Sequence, residues 1–202
     1  MNNQILETIS ILSQNITEER IEVLQPLVNY IQSKKQQNET IRLNFICTHN
    51  SRRSHLSQIW AQTMAHHFGI KDVFCYSGGT EATAMFPKVA ETLINQGFHV
   101  QKLSENTNPV YAVKYDQIEA PVICFSKEYS NDFNPKRKFG AIMTCDNADE
   151  GCPIVFGAEA RFPIKYNDPK IFDATEQQTE KYAERSLEIA GEMFWVFKSI
   201  TK

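Results

Sequence analysis

Apolar residues recur at helical spacing in the first thirty positions. Ile5, Ile9 and Leu12 form one set, and Ile21, Leu24, Val28 and Ile31 form a second. Thr17 followed by Glu18 and Glu19 marks a helix start, with acids near the positive end of the dipole. Pro26 is placed to kink or restart that second helix. The polar run SKKQQNET (33–40) reads as a linker. Residues 1–40 are therefore expected to be a helical extension, packed on the main body or on a second copy.

From residue 41 the pattern alternates between short apolar runs and amphipathic stretches. IRLNFIC (41–47) predicts a strand, and residues 53–69 a helix with Leu56, Ile59, Trp60, Met64 and Phe68 on one face. A strand over 71–79, a helix over 86–98 and a strand FHVQKL follow. APVICFS (120–126) and FGAIMTC (139–145) are apolar and short, as strands buried in a parallel sheet are. A long C-terminal helix over 175–200, capped by Asp173 or Thr175, closes the chain. Strands alternating with helices predict an α/β fold, in which ligands sit beyond the carboxyl ends of the strands. Cys47 and Cys145 both fall there.

The 202 residues suit one main domain, 41–202, with the appendage 1–40. The chain is 42% hydrophobic and 22% charged, and its net charge of −3 argues against binding to duplex nucleic acid. No run is long enough for a membrane span, and the first residues lack the form of a signal peptide. The expected location is the cytoplasm. There, cysteines are expected to be free or reactive rather than locked in structural disulfides.

Against that background the loop after the first strand stands out. CTHNSRRS (47–54) is a C-x5-R-S motif between a strand and a helix. Amides of a loop entering a helix N-terminus converge on one point, where the dipole favours negative charge. His49, Asn50, Ser51, Arg52 and Arg53 are the candidate oxyanion-binding residues. Arg53 can present a planar fork to two anion oxygens. Cys47 is expected to be held partly as thiolate, with Ser54 as its hydrogen-bond partner. Such a site binds a phosphate-type anion and offers it a nucleophile.

A second cluster, CDNADEGC (145–152), holds two cysteines seven apart in an acidic segment expected to be a surface loop. It lacks the paired short spacings of a zinc site, so no metal is expected. A mobile dithiol suits thiol–disulfide exchange. Cys75 and Cys124 lie mid-strand and read as core residues.

The loop resembles that of the low-molecular-weight protein tyrosine phosphatase superfamily, and more narrowly the thioredoxin-coupled arsenate reductases built on that fold. Their loop reads C-T-G-N-S-C-R-S, against C-T-H-N-S-R-R-S here. The segment 76–100 is similar to the next unit of that family, and the likeness spans roughly 41–200. It implies a three-layer sandwich around a four-stranded parallel sheet. It also implies a relay. Cys47 attacks arsenate, Cys145 attacks Cys47 to release arsenite, and Cys152 attacks Cys145 to leave a disulfide for thioredoxin. Asp168, in KYNDPK, matches the general acid. The alternative implied is a phosphatase that hydrolyses phosphomonoesters through a Cys47 phosphocysteine. Lys170 stands where those phosphatases carry an aromatic wall, which favours a small inorganic anion. Three residues depart from the pattern. His49 replaces a glycine, Arg52 replaces a cysteine, and Gln58 replaces a glutamate that helps some reductases bind potassium, leaving no firm cofactor expectation.

Overall fold

The computed structural model describes residues 1–12, 16–151 and 154–201. In chain order the elements are α1 (Asn3–Ser10), α2 (Glu18–Gln36), β1 (Ile41–Cys47), α3 (Arg53–His67), β2 (Val73–Gly79), α4 (Pro87–Asn95) and β3 (His99–Lys102). They continue as β4 (Tyr111–Lys114), β5 (Val122–Cys124), β6 (Phe139–Met143), α5 (Asp146–Gly151), β7 (Ala158–Phe162) and α6 (Gln178–Lys198).

The main sheet is parallel, with order β2-β1-β6-β7. Alternation along the central strands separates two cores. Leu43 and Phe45 of β1 and Ile142 of β6 join the large core, shared with α3 and α6. Ile46, Phe139, Ala141 and Met143 face the other way, into a smaller cluster with Ala148 of α5 and Val155. Cys47 and Cys145 both lie in that smaller cluster.

The strand expected over 120–126 does not join this sheet. As β5 it pairs antiparallel with β4, in a separate sheet of order β3-β4-β5. An apolar run cannot report the direction of its neighbour, and burial of Val122 and Cys124 is satisfied against α3 instead. The fourth strand of the parallel sheet is β7. Its residues are mostly part-exposed, so it lacks the apolar run that marks a buried strand.

Thr17 caps α2, its hydroxyl accepting from the Arg20 amide. Pro26 lies inside one unbroken helix, which runs on to Gln36 and takes in the start of the expected linker. Ile5, Ile9, Leu24, Leu27, Val28 and Ile31 pack into the same large core as the sheet. Neither Asp173 nor Thr175 caps α6, which starts at Gln178. Asp173 is engaged elsewhere, as described below.

Candidate active site

Three short connections converge at the carboxyl end of the parallel sheet. Cys47 ends β1, and Arg52 and Arg53 begin α3, so the loop between them closes over the strand end. Asn50 sits in the left-handed region, φ 44°, a conformation that asparagine tolerates well. Its buried amide donates to Ser54 Oγ at 2.9 Å, and Ser54 Oγ lies 3.1 Å from Cys47 Sγ. Its Oδ1 accepts from the Lys127 amide at 3.0 Å. Ser54 is therefore held against the nucleophile from behind.

The loop following β2 supports this one. The amides of Thr80, Glu81 and Phe86 donate to the carbonyls of Cys47, Thr48 and Ser51, each at 3.0 Å. Gly79 makes the close approach possible. A Cβ there would press on the carbonyls of Glu81 and Thr48 and sit 2.8 Å from the Asn50 nitrogen.

Cys47 is buried, and burial pushes its thiol above the ordinary cysteine range. The Ser54 hydrogen bond, the Arg53 charge and the Ser51 amide oppose that rise, while neighbouring Cys145 adds to it. The expected resting thiolate is thus outweighed by desolvation.

Arg53 donates from Nη1 to the Tyr166 carbonyl at 2.9 Å and from Nη2 to Asp168 Oδ2 at 2.6 Å. Asp168 also caps the short 3-10 turn Pro169–Phe172, accepting from the Lys170 amide. Cys47, Thr48, His49, Ser51, Arg52, Arg53 and Asp168 line one small cavity of about 10 Å³, about the space of one water-sized sphere.

Arg52 has a different task. Its side chain donates to the Tyr182 hydroxyl at 2.6 Å and to Asp173 Oδ2 at 2.5 Å, and stacks 4.2 Å from the Phe86 ring centroid. It fastens the loop to α6, so its guanidinium is not an anion clamp, although its backbone still belongs to the loop. The His49 imidazole sits at the mouth, with Nδ1 3.1 Å from a Glu81 carboxylate oxygen.

Cys145 lies two residues beyond Met143, the last residue of β6, which is the hydrogen-bonded neighbour of β1. The register pairs Ile46 with Met143, so the two chain ends leave the sheet side by side. Thr48 Oγ1 lies 3.5 Å from Cys145 Sγ. The expected surface loop after Cys145 is instead the short helix α5, and Cys145 itself is buried. Asp146 and Glu150 are exposed while Asp149 is part-buried, and Lys165 pairs with both Asp146 and Asp149. Acidic composition reports the outer face of a helix turn as readily as a loop. Cys152 lies outside the described residues.

The neighbourhood of Gln58 does not fit a potassium ion. Its amide nitrogen donates to the carbonyls of Cys75 at 3.0 Å and Ile123 at 3.5 Å, the oxygens a cation would need, and its Oε1 accepts from the Cys124 thiol. Among the described residues, no cluster of three or more His, Cys, Asp or Glu could hold a metal, and no helix is long and apolar enough to cross a membrane. Cys75 and Cys124 are buried in the core, as read from the sequence.

The sequence profile of the low molecular weight phosphotyrosine protein phosphatase family matches residues 42–124, the stretch that holds the Cys47 loop and its supports. A search of curated proteins gives no significant match. Solved structures of the same fold include the YwlE phosphatase of Bacillus subtilis, in mutant form. It is 14% identical, with TM-score 0.52, over 81% of this chain and 100% of that one. A low molecular weight phosphotyrosine phosphatase of Vibrio cholerae O395 is 14% identical, with TM-score 0.50, over 76% and 92%. An arsenate reductase in its phosphate-binding state is 14% identical, with TM-score 0.50, over 80% and 100%. At these identities the likeness is one of fold. The proteins this chain resembles by profile and by fold are phosphatases and arsenate reductases.

Proposed function

We propose that the protein is an arsenate reductase. The observation that carries this reading is the placement of Cys145. It is a second buried thiol, at the end of the strand paired with β1, in the same apolar cluster as Cys47 and touching the Cys47 loop through Thr48. Phosphate-ester hydrolysis has no use for it.

Arsenate enters the loop and takes over the Arg53 fork, displacing Asp168. Cys47 thiolate attacks arsenic and a water leaves, its oxygen protonated by Asp168, giving a Cys47–arsenic adduct. Cys145 thiolate then attacks Cys47 sulfur. A sulfur–sulfur bond forms, the sulfur–arsenic bond breaks, and its electron pair reduces arsenic to arsenite. Cys152 next attacks Cys145, giving a Cys145–Cys152 disulfide and freeing Cys47, and thioredoxin reduces that disulfide in the cytoplasm. The cramped cavity and Lys170 after Pro169, in place of a ring, support a small inorganic substrate. Arsenate-dependent NADPH oxidation with thioredoxin and thioredoxin reductase is the expected result, and its absence sinks the reading.

The second reading is phosphomonoester hydrolysis through a Cys47 phosphocysteine, supported by Asp168 beside Arg53 in the same cavity. The two separate on one variant. Cys145→Ser should abolish arsenate turnover, whereas a phosphatase would keep its activity.

A further inference from the structure

Residues 154–156 alternate between the core and water. Val155 is buried, in the apolar cluster that holds Cys47 and Cys145. Its two neighbours lie outside: Ile154 is 69% exposed and Phe156 is 81% exposed. Among the described residues Phe156 is the most exposed aromatic side chain. The apolar pair stands two and four residues after Cys152 in the chain.

At Gly157 the segment packs on the turn 135–138. Gly157 has φ 84°, and a Cβ there would strike the Lys136 carbonyl and lie 3.2 Å from Arg137 Cα. Lys136, Arg137 and Lys138 are exposed. With Arg42 and Pro135 they line a cavity that has no carboxylate on its wall. Lys136 pairs with Asp132, whereas Arg42, Arg137 and Lys138 are in no ion pair among the described residues. The Glu159 carboxyl, which feels the Lys138 charge, is already claimed by Lys34. Of the acids of α5, Asp146 and Asp149 are claimed by Lys165, and Glu150 is exposed. An exposed apolar pair with a charged border has the form of a protein-docking patch.

We propose that Ile154 and Phe156, bordered by Arg137 and Lys138, are the docking surface for the protein dithiol that reduces the Cys145–Cys152 disulfide. This rests on the relay read above. Reduction by a dithiol requires contact. A partner thiolate attacks the Cys152 sulfur, a mixed disulfide forms, and Cys145 leaves as a thiolate that takes up a proton. The partner's second thiol then displaces Cys152. Both cysteines of this chain end reduced, and the partner, oxidised by two electrons, carries the disulfide away. A protein that reaches this sulfur also covers the residues that follow it in the chain. The partner that fits presents an apolar strip beside its own cysteines and carboxylates that meet Arg137 and Lys138.

The test follows arsenate turnover of the full chain while thioredoxin is titrated, with thioredoxin reductase and NADPH, and again with dithiothreitol in place of the protein reductant. Ile154→Ser with Phe156→Ser should raise the KM for thioredoxin about tenfold. Arg137→Glu with Lys138→Glu should raise it too, more at low salt than at high salt. In both variants the dithiothreitol-driven rate should equal that of the unaltered chain. A KM for thioredoxin left unchanged by the apolar pair overturns the docking surface. An equal loss under both reductants also overturns it, because the side chains would then serve the fold and not the contact. If the apolar pair instead splits a dimer, or sheds the chain from phosphatidylserine vesicles, with the KM for thioredoxin unchanged, the surface belongs to a second copy or to a membrane and the proposal falls. No arsenate turnover with either reductant overturns the relay beneath it. The charge-reversed pair lies on an exposed turn, so its salt-dependent KM keeps the proposal open to refutation even where the apolar pair fails to fold.

Discussion

Cys47 sits between opposed influences, and each can be removed singly. Ser54→Ala deletes a hydrogen bond that holds the thiol's pKa down, so the acidic limb of the pH–rate profile should move to higher pH, by about one unit. Because the folded thiol is already raised, turnover should climb with pH through the neutral range. A profile unchanged by Ser54→Ala would show that the hydroxyl does not touch the reacting sulfur. The grouping of Cys47, Arg53 and Ser54 was legible because C-x5-R-S between strand and helix is itself a description of an anion cradle, whereas Asp168 was named only through the family resemblance. Arg52 was not, since a charge in a motif does not say which way its side chain turns. The Tyr182 and Asp173 that claim it lie more than a hundred residues away.

The loop after β2 is the wall against which the Cys47 loop is cast. Gly79→Ala would drive a Cβ into the carbonyls of Glu81 and Thr48, which are backbone atoms and cannot swing aside. The expected result is a loss of about 1–3 kcal/mol in denaturant unfolding and a weakened oxyanion site, read by sulfate binding. An equally stable, equally tight Gly79→Ala would mean the two loops are less closely packed than described. The parallel strands β1 and β6 and the helix α3 follow from their apolar patterns, which is why both loops could be placed on them in advance. Strand β7 and the antiparallel β3-β4-β5 sheet could not be placed in this way. The residues of β7 are part-exposed, and β4 is only four residues long.

At the scale of the molecule, the N-terminal helices are tied to the site they precede. Arg20 of α2 makes a paired contact with Glu192 of α6, donates to the Lys165 carbonyl at 3.1 Å and lies 5.2 Å from the Tyr166 ring centroid. The next carbonyl, that of Tyr166, accepts from Arg53, and Asp168 follows two residues on. Arg20→Ala strands the buried Glu192 carboxylate and should cost about 3 kcal/mol in unfolding, with a lower turnover as the Asp168 segment loosens. Ile5→Ala, by contrast, opens the core at α1, whose backbone packs against Gly97 after α4. It should cost about 2–5 kcal/mol while leaving the turnover of the folded fraction unchanged. Periodicity alone revealed the two helices α1 and α2. That their apolar faces complete the large core was not readable, because a stripe of leucines does not name what covers it.

The central claim is that Cys145 takes the electrons' path from Cys47 to arsenic. The most direct measurement is a single turnover of the Cys152→Ser variant with arsenate and no thioredoxin, quenched with acid and mapped by mass spectrometry. The account predicts one arsenite released per chain and a Cys47–Cys145 disulfide. Arsenate left unreduced, with Cys47 and Cys145 both still free thiols, would contradict it.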